Sequence, residues 1–373
     1  MRKSLAMLVA MFLTVAMLTG CGGGDTTPPA DGSGSVADVG RDTDTGEDPD
    51  TGEDVDAGGD VEPAGNASGL RIGISMESLE SQFLVMNHTA MLEKAEELGV
   101  EAIVLIAEGD ATRQNQQIEN LLAQGVDAII CFPNDGAAIA SAVGMAQDEG
   151  VPFIMNGRAI QSDVVFPELQ VISDNEQMAY DVVAWFGERA RAQGDTHQAI
   201  LLVGSLADQG AVYRQLGHRR AIEEFSDVFE LVAEIPTEWN HDAALSGLQS
   251  ALQAHPDANL VITPSDFLLP PIRSALEQFQ KWEHRDNENH VDLLTFDGDE
   301  VGMQYLLDGY STANAAQDPV FTGRTCMEWA VRIANGETPP EAVITDPGII
   351  VTMDNFHEVG PSVWSWGMLQ FEQ

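Results

Sequence analysis

The chain has 373 residues, with 60 acidic against 17 basic side chains and a formal net charge of -43. That balance excludes an ordinary nucleic-acid binder, because phosphate affinity comes from Lys and Arg that release counterions, and it disfavours docking on anionic lipid. Hydrophobic residues at 44% supply a large core, so most of the chain is expected to fold, as two domains or two lobes. Lys3, Lys94 and Lys281 are its lysines, the other basic residues being Arg. A Lys-poor, Asp-rich surface fits a saline habitat more than a particular task.

Arg2 and Lys3 precede an apolar run from Leu5 to Leu18 that is interrupted by Thr14. The run is short for a membrane span and fits the apolar region of a signal peptide. Leu18-Thr19-Gly20-Cys21 resembles the bacterial lipobox, so residues 1–20 are expected to be removed and Cys21 to be lipidated. Export leaves Cys131 and Cys326 either paired or buried as thiols, and Cys131 lies in the apolar pattern Ile129-Ile130-Cys131-Phe132, which favours a buried thiol. Residues 21–69 hold thirteen acids and Arg41, with no aromatic residue, Leu or Ile. Such a segment cannot bury enough apolar surface to offset its chain entropy and is expected to be a disordered acidic tether. Thr45-Gly46-Glu47-Asp48 repeats as Thr51-Gly52-Glu53-Asp54, an Asp-rich period that invites hard cations. The EF-hand pattern is missing, however, and the segment reads as a solvated spacer.

From Leu70 onward, short apolar runs alternate with amphipathic stretches. Strands are expected at 70–75, 101–106, 128–132 and 151–155, and helices at 83–98, 112–124 and 136–149. The alternation resumes with helix 173–193, strand 198–204 and helix 212–225, then strands at 231–235, 260–263 and 292–296. This is the pattern of doubly wound parallel sheets, present twice. Ligands of such sheets bind beyond the carboxyl ends of the strands. The residues there include Glu77 to Phe83, Asn156-Gly157-Arg158, Ser205 to Arg214, Glu238-Trp239-Asn240, Pro264-Ser265-Asp266 and Phe296-Asp297-Gly298. Carboxylates, amides and Arg suit vicinal hydroxyls, and aromatic faces suit the C–H patches of a sugar ring.

Ile72-Gly73-Ile74-Ser75, the run from Gln124 to Ile130, Val171-Ile172-Ser173-Asp174-Asn175, Ala254-His255-Pro256-Asp257 and Phe296-Asp297-Gly298 follow one another in an order and spacing that resembles the periplasmic sugar-binding proteins of the ribose, galactose and xylose type. Those proteins serve ABC transporters and sometimes chemoreceptors. The resemblance runs from about Leu70 to about Thr352 and implies the type I periplasmic binding protein fold: α/β, with two doubly wound Rossmann-like lobes joined by three crossing strands. It places an N-terminal lobe at 70–172 plus 318–346 and a C-terminal lobe at 173–317 plus 347–373.

The resemblance implies Phe83 and Trp239 as aromatic faces on either side of a sugar, with Arg158, Arg214, Ser265, Asp297 and Gln317 as polar contacts. Two positions depart from the family pattern. Gly157 stands where Asp or Asn usually precedes Arg158, with Asn156 one residue early. The usual Asn-Asp after the sixth strand reads Ser265-Asp266, followed by Pro270-Pro271 inside the expected helix start.

No Gly-x-Ser-x-Gly elbow, His-Glu-x-x-His, phosphate-cradling loop or paired-Cys metal spacing occurs, so no catalytic residue, cofactor or metal is expected. The expectation is a monomeric, lipid-anchored substrate-binding protein on the periplasmic face of the cell envelope. It would capture a neutral sugar or polyol and hand it to an ABC transporter permease. A sugar-sensing receptor for a sensor kinase or chemoreceptor is the alternative. Sugar-responsive repressors share the fold but need an N-terminal DNA-reading unit, where this chain has a signal peptide and an acidic tether.

Overall fold

The computed structural model describes residues 69–371; the expected signal peptide, Cys21 and nearly all of the expected tether lie outside them. The described residues form two sheets. The first holds β1 (Arg71–Met76), β2 (Glu101–Ile106), β3 (Ala128–Phe132), β4 (Phe153–Gly157), β5 (Leu169–Ser173) and β11 (Val343–Asp346), in the order β11-β5-β4-β3-β1-β2. The second holds β6 (His197–Val203), β7 (Phe229–Pro236), β8 (Leu260–Ile262), β9 (Asp292–Asp297), β10 (Ala313–Ala316) and β12 (Ile349–Thr352), in the order β12-β10-β9-β8-β6-β7. Every pairing is parallel except that of β10 with β12.

Continuous apolar runs make these strands, because both faces of each sheet are covered. In β3, Ile130 and Phe132 join the core on one face while Ile129 and Cys131 join the core on the other. Cys326 belongs to the core that contains Ile130, so the two thiols sit on opposite faces of the sheet, both buried and unpaired. No helix among the described residues is long and apolar enough to cross a membrane.

The helices of the first lobe are α1 (Gln82–Leu98), α2 (Ala111–Ala123) and α3 (Ala140–Asp148), and those of the second are α4 (Asn175–Gln193), α5 (Gln209–Glu224), α6 (His241–Ala254), α7 (Leu269–Gln278) and α8 (Glu300–Leu307). The chain then recrosses. Helix α9 (Pro319–Ala334) packs on α1 and on β3, β4 and β5, and the short α10 (Phe356–Val359) follows β12. Gly323 of α9 allows the close approach, since a Cβ there would meet the Asn87 carbonyl at 2.5 Å.

The structure departs from the expected elements at instructive points. Alternation passed over β5 and began a helix at Ser173, whereas the strand ends there and Asp174 caps α4 through Gln177 N–H. Helix α3 starts at Ala140 and not at Gly136, because Asp135 first turns the chain by accepting from Ala137 and Ala138 N–H. Pro270 and Pro271 do not break α7; they occupy its first turn, where no backbone donor is needed.

Candidate functional site

In each sheet the strand order reverses between neighbours, at β1/β3 in the first and at β6/β8 in the second. Such switch points open a crevice at the carboxyl ends of the strands. The two crevices face one another and form a single cleft of about 390 Å³. Phe83, Arg158, Arg214, Trp239, Ser265, Asp297 and Gln317 all line it.

The loop after β1 carries Glu77 and leads to Ser81, which caps α1 through Leu84 N–H at 3.2 Å. The cap sets Phe83 in the first turn, where it is buried and meets Phe132 edge to face with centroids 6.4 Å apart. Phe132, at the end of β3, also explains the departure at Gly157. A Cβ on Gly157 would lie 2.2 Å from the Phe132 ring, and the residue has a φ of +70°, which favours glycine. Asn156 turns into the core instead, exchanging amide hydrogen bonds with Asn87 at 2.7 and 3.3 Å.

Arg158 reaches the cleft with its guanidinium committed to protein groups. Nη1 lies 2.6 Å from Glu77 and donates to Pro133 O at 2.9 Å, Nε lies 2.9 Å from Asp208, and the group sits over the Phe132 ring at 5.2 Å. Burial works against its charge, but Asp208 and Glu77 outweigh that and hold its pKa above the ordinary arginine value. Glu77 is pushed up by burial, against the pull of Arg158.

Opposite, Asp208 caps α5, its Oδ1 accepting from Gly210 N–H at 2.8 Å. Its Oδ2 accepts from Trp239 Nε1 at 3.2 Å. The indole lies against Gly204, where a Cβ would be 2.3 Å from the ring. Trp239 and Glu238 both adopt positive φ, +56° and +50°, so the turn that aims the indole is strained. Arg214, on α5, donates from Nε to Asn175 at 2.7 Å and from Nη1 to Pro264 O at 2.6 Å and Asp297 at 2.9 Å, with the Phe296 ring 4.0 Å from its carbon.

Asp297 is the meeting point. Besides Arg214 it accepts from Gln317 Nε2 at 2.6 Å and from Ser265 Oγ. Its φ of +106° is held by the C-terminal segment, where Trp364 Nε1 donates to Asp297 O at 3.2 Å and Ser365 Oγ to Gly298 O at 2.6 Å. Burial raises the Asp297 carboxyl above its ordinary range, against Arg214 and the hydroxyl and amide donors.

Asp266, beside Ser265, faces away from the cleft. It accepts from Asn314 Nδ2 at 2.9 and 3.1 Å and from Asp299 N–H at 2.9 Å. Burial first, and the Asp297 charge second, push Asp266 and Asp299 well above the carboxylate range, and Asp299 Oδ1 has no hydrogen-bond partner. Glu77, Phe132, Asn134 and Asp208 are lining residues that the sequence reading did not select. Glu77 and Asp208 stand in strand-end runs, which was the available signal, but nothing local marks their tertiary partners. No group of carboxylates, His or Cys among the described residues is arranged to hold a metal.

Arg158 and Arg214 are the cations of the cleft lining, and both are already ion-paired. A ligand carboxylate or phosphate would meet Glu77, Asp208 and Asp297 with no unpaired cation to hold it. The arrangement suits an uncharged ligand rich in hydroxyls, with aromatic rings on its apolar faces.

Fold and site together define a two-lobed ligand-binding protein. The chain belongs to the periplasmic binding protein domain family, whose sequence profile matches residues 72–338. It is similar to the ribose import binding protein of Bacillus subtilis, 25% identical over 277 residues that cover 73% of this chain and 84% of that protein. It is also similar to the D-apiose import binding protein of Paraburkholderia graminis, 28% identical over 261 residues, 69% of this chain and 79% of that one. Among solved structures, the myo-inositol binding protein of Caulobacter, bound to myo-inositol, superposes with a TM-score of 0.72 at 19% identity, over 80% of this chain and 97% of that one. An ABC transporter solute binding protein from Bacillus halodurans, with bound myo-inositol, gives 0.70 at 25% identity, over 80% and 99%. The named relatives are import binding proteins, not enzymes.

The buried acids make a pH prediction. Asp299 has a raised pKa in the folded chain, so the stability it contributes is present below the ordinary carboxylate pKa and lost as pH rises through the raised value. Asp299→Asn should therefore stabilise the protein at neutral pH by on the order of 1 kcal/mol. The gain should shrink as the pH is lowered towards the ordinary carboxylate range. Urea unfolding at both pH values checks this, and an equal gain at the two would contradict it.

Proposed function

We propose that this protein captures a neutral sugar or polyol between its two lobes and delivers it to the permease of an ABC transporter. The observation that carries the reading is the Asp297 carboxylate, fixed by Arg214, Gln317 and Ser265 at a cleft that also holds Phe83 and Trp239. In this reading the seven residues expected from the sequence contact the ligand. Phe83 and Trp239 take its C–H faces, Asp297 accepts from hydroxyls, and Gln317, Ser265 and the two guanidiniums complete the set. Arg158 then has two roles, since its protein partners leave it at the cleft wall. The import binding proteins named among the relatives favour delivery to a permease over signalling to a sensor kinase.

The reading continues to the cell envelope. Cleavage before Cys21 and lipidation there would anchor the mature chain as a monomer at the periplasmic face, with the acidic segment holding the lobes at a distance. In the same reading the lobe boundaries lie at 70–172 plus 318–346 and at 173–317 plus 347–373, a division supported by β11 joining the first sheet and β12 the second.

A thermal-shift panel of pentoses, hexoses, inositols and nucleosides, with uronic acids and sugar phosphates beside them, tests the ligand class. At least one neutral member should raise the melting temperature and the anionic members should not. Asp297→Asn should weaken binding of that member roughly tenfold or more, as expected for a charged hydrogen-bond acceptor. A panel without any shift, together with an unaffected Trp239→Ala variant, sinks the sugar reading. For the anchor, mass spectrometry of membrane-extracted protein should find a diacylated N-terminal Cys21, and Cys21→Ser should appear in the soluble fraction; an unmodified wild-type Cys21 would remove the anchor from the account.

A further inference from the structure

We propose that Asp208 is a positioning residue that latches the two lobes and, through the same carboxylate oxygen, holds one aromatic wall of the cleft. Oδ1 is spent on the α5 cap, accepting from Gly210 N–H at 2.8 Å. Oδ2 faces two groups from different lobes: Trp239 Nε1, from the Asp208 lobe, which donates to it at 3.2 Å, and the Arg158 guanidinium, from the other, which is ion-paired with it at 2.9 Å from Nε. Both charged side chains are nearly out of solvent, at 13% and 6% exposure.

Opening the cleft divides this network along a definite line. Arg158 keeps Glu77 and Pro133 O, which move with it, and Asp208 keeps Gly210 and Trp239. The bond that must break is Arg158 to Asp208. Among the described residues, other polar contacts across the cleft are uncharged at one partner or both: Gly136 N–H to Ala207 O at 3.2 Å, and the Gln82 amide with Glu300, at 2.8 Å to its N–H and 3.2 Å to its carboxylate, and with Met368 Sδ at 3.6 Å. Among the described residues the Arg158–Asp208 pair is therefore the ion pair that spans the cleft, with Asp297 attracting Arg158 and Asp208 repelling Glu77 at longer range. The closed pair is nearly buried and opening exposes both groups to screening by salt, so raised salt favours the open form. Because Trp239 hangs on the same oxygen, the indole is held where the closing lobe needs it. This concerns closure and rests on the binding reading only for what closure encloses.

The test uses the full, ligand-free chain, so it stands whether or not any sugar binds. Labels on Asp148→Cys and Asp242→Cys, exposed positions of the two lobes, report lobe separation by electron-electron double resonance. The wild type should be mostly closed, with the closed population falling as salt is raised. Asp208→Asn retains an acceptor for the α5 cap and should lower the closed-to-open ratio roughly tenfold, as for a lost, largely buried ion pair, and make the salt response smaller than that of the wild type. Trp239→Phe should keep the salt response, since it removes the indole donor and no charge. Should Asp208→Asn fail to fold, Arg158→Gln removes the same ion pair from the other lobe and must also lower the closed-to-open ratio; because it leaves Glu77 to repel Asp208, added salt should then favour closure, the reverse of the wild type. A wild type already open, an unchanged distribution in the variant that folds, or a salt response equal to that of the wild type overturns the proposal.

Discussion

Three chain crossings join the lobes, and one carboxylate, that of Asp346, ties all three together. Its Oδ2 accepts from Ser173 Oγ at 3.1 Å, beside the first crossing, and from Asp318 N–H at 2.7 Å, on the second. Its Oδ1 accepts from Gly348 N–H at 2.9 Å, on the third, and its backbone carbonyl accepts from Asp174 N–H at 2.9 Å. Two further aspartates start the helices that leave the crossings, Asp174 for α4 and Asp318 for α9. The orientation of each lobe at the crossings thus passes through a buried acceptor whose partners are mainly backbone groups. Such a group is costly to leave unpaired, so its geometry is tightly specified.

With the lobes registered this way, the carboxyl ends of two parallel sheets meet across one cleft, and the chemistry there follows from burial. Asp297 stays ionisable in the interior because Arg214, Gln317 and Ser265 meet it. Arg158 is compensated by Glu77 and Asp208. A cleft whose cations are already paired binds by local hydrogen bonding and ring contact, not by net charge. For that reason a strongly acidic chain can hold a ligand without selecting cations, while the surface charge acts on solubility.

Periodicity alone made the doubly wound pattern legible, since runs such as Ala128–Phe132 are apolar on both faces and are bounded by turn residues. Short strands were less visible. β10, Ala313–Ala316, is four residues of Ala and Asn whose strand character comes from its neighbours β9 and β12. The expected site residues do converge on the cleft, because a strand-end position is a local property that sequence order preserves. Their partners are not local. Nothing near Arg158 announces that Asp208, fifty residues on, will take its Nε. Nor does the sequence around Gly157 show that Phe132 fills the space where a polar side chain was expected. Asp266 looked like a site residue by position, and Asn314 and Asp299 draw it into the interior instead.

The central claim is that a neutral, hydroxyl-rich ring lies between Phe83 and Trp239 with a hydroxyl on Asp297. A crystal structure of the protein with its co-purified ligand, identified by mass spectrometry of the same sample, tests it most directly. The account predicts an uncharged sugar or polyol with its ring faces on those two side chains and a hydroxyl donating to the Asp297 carboxylate. An anionic ligand, or a ligand seated without contact to Asp297, would contradict it.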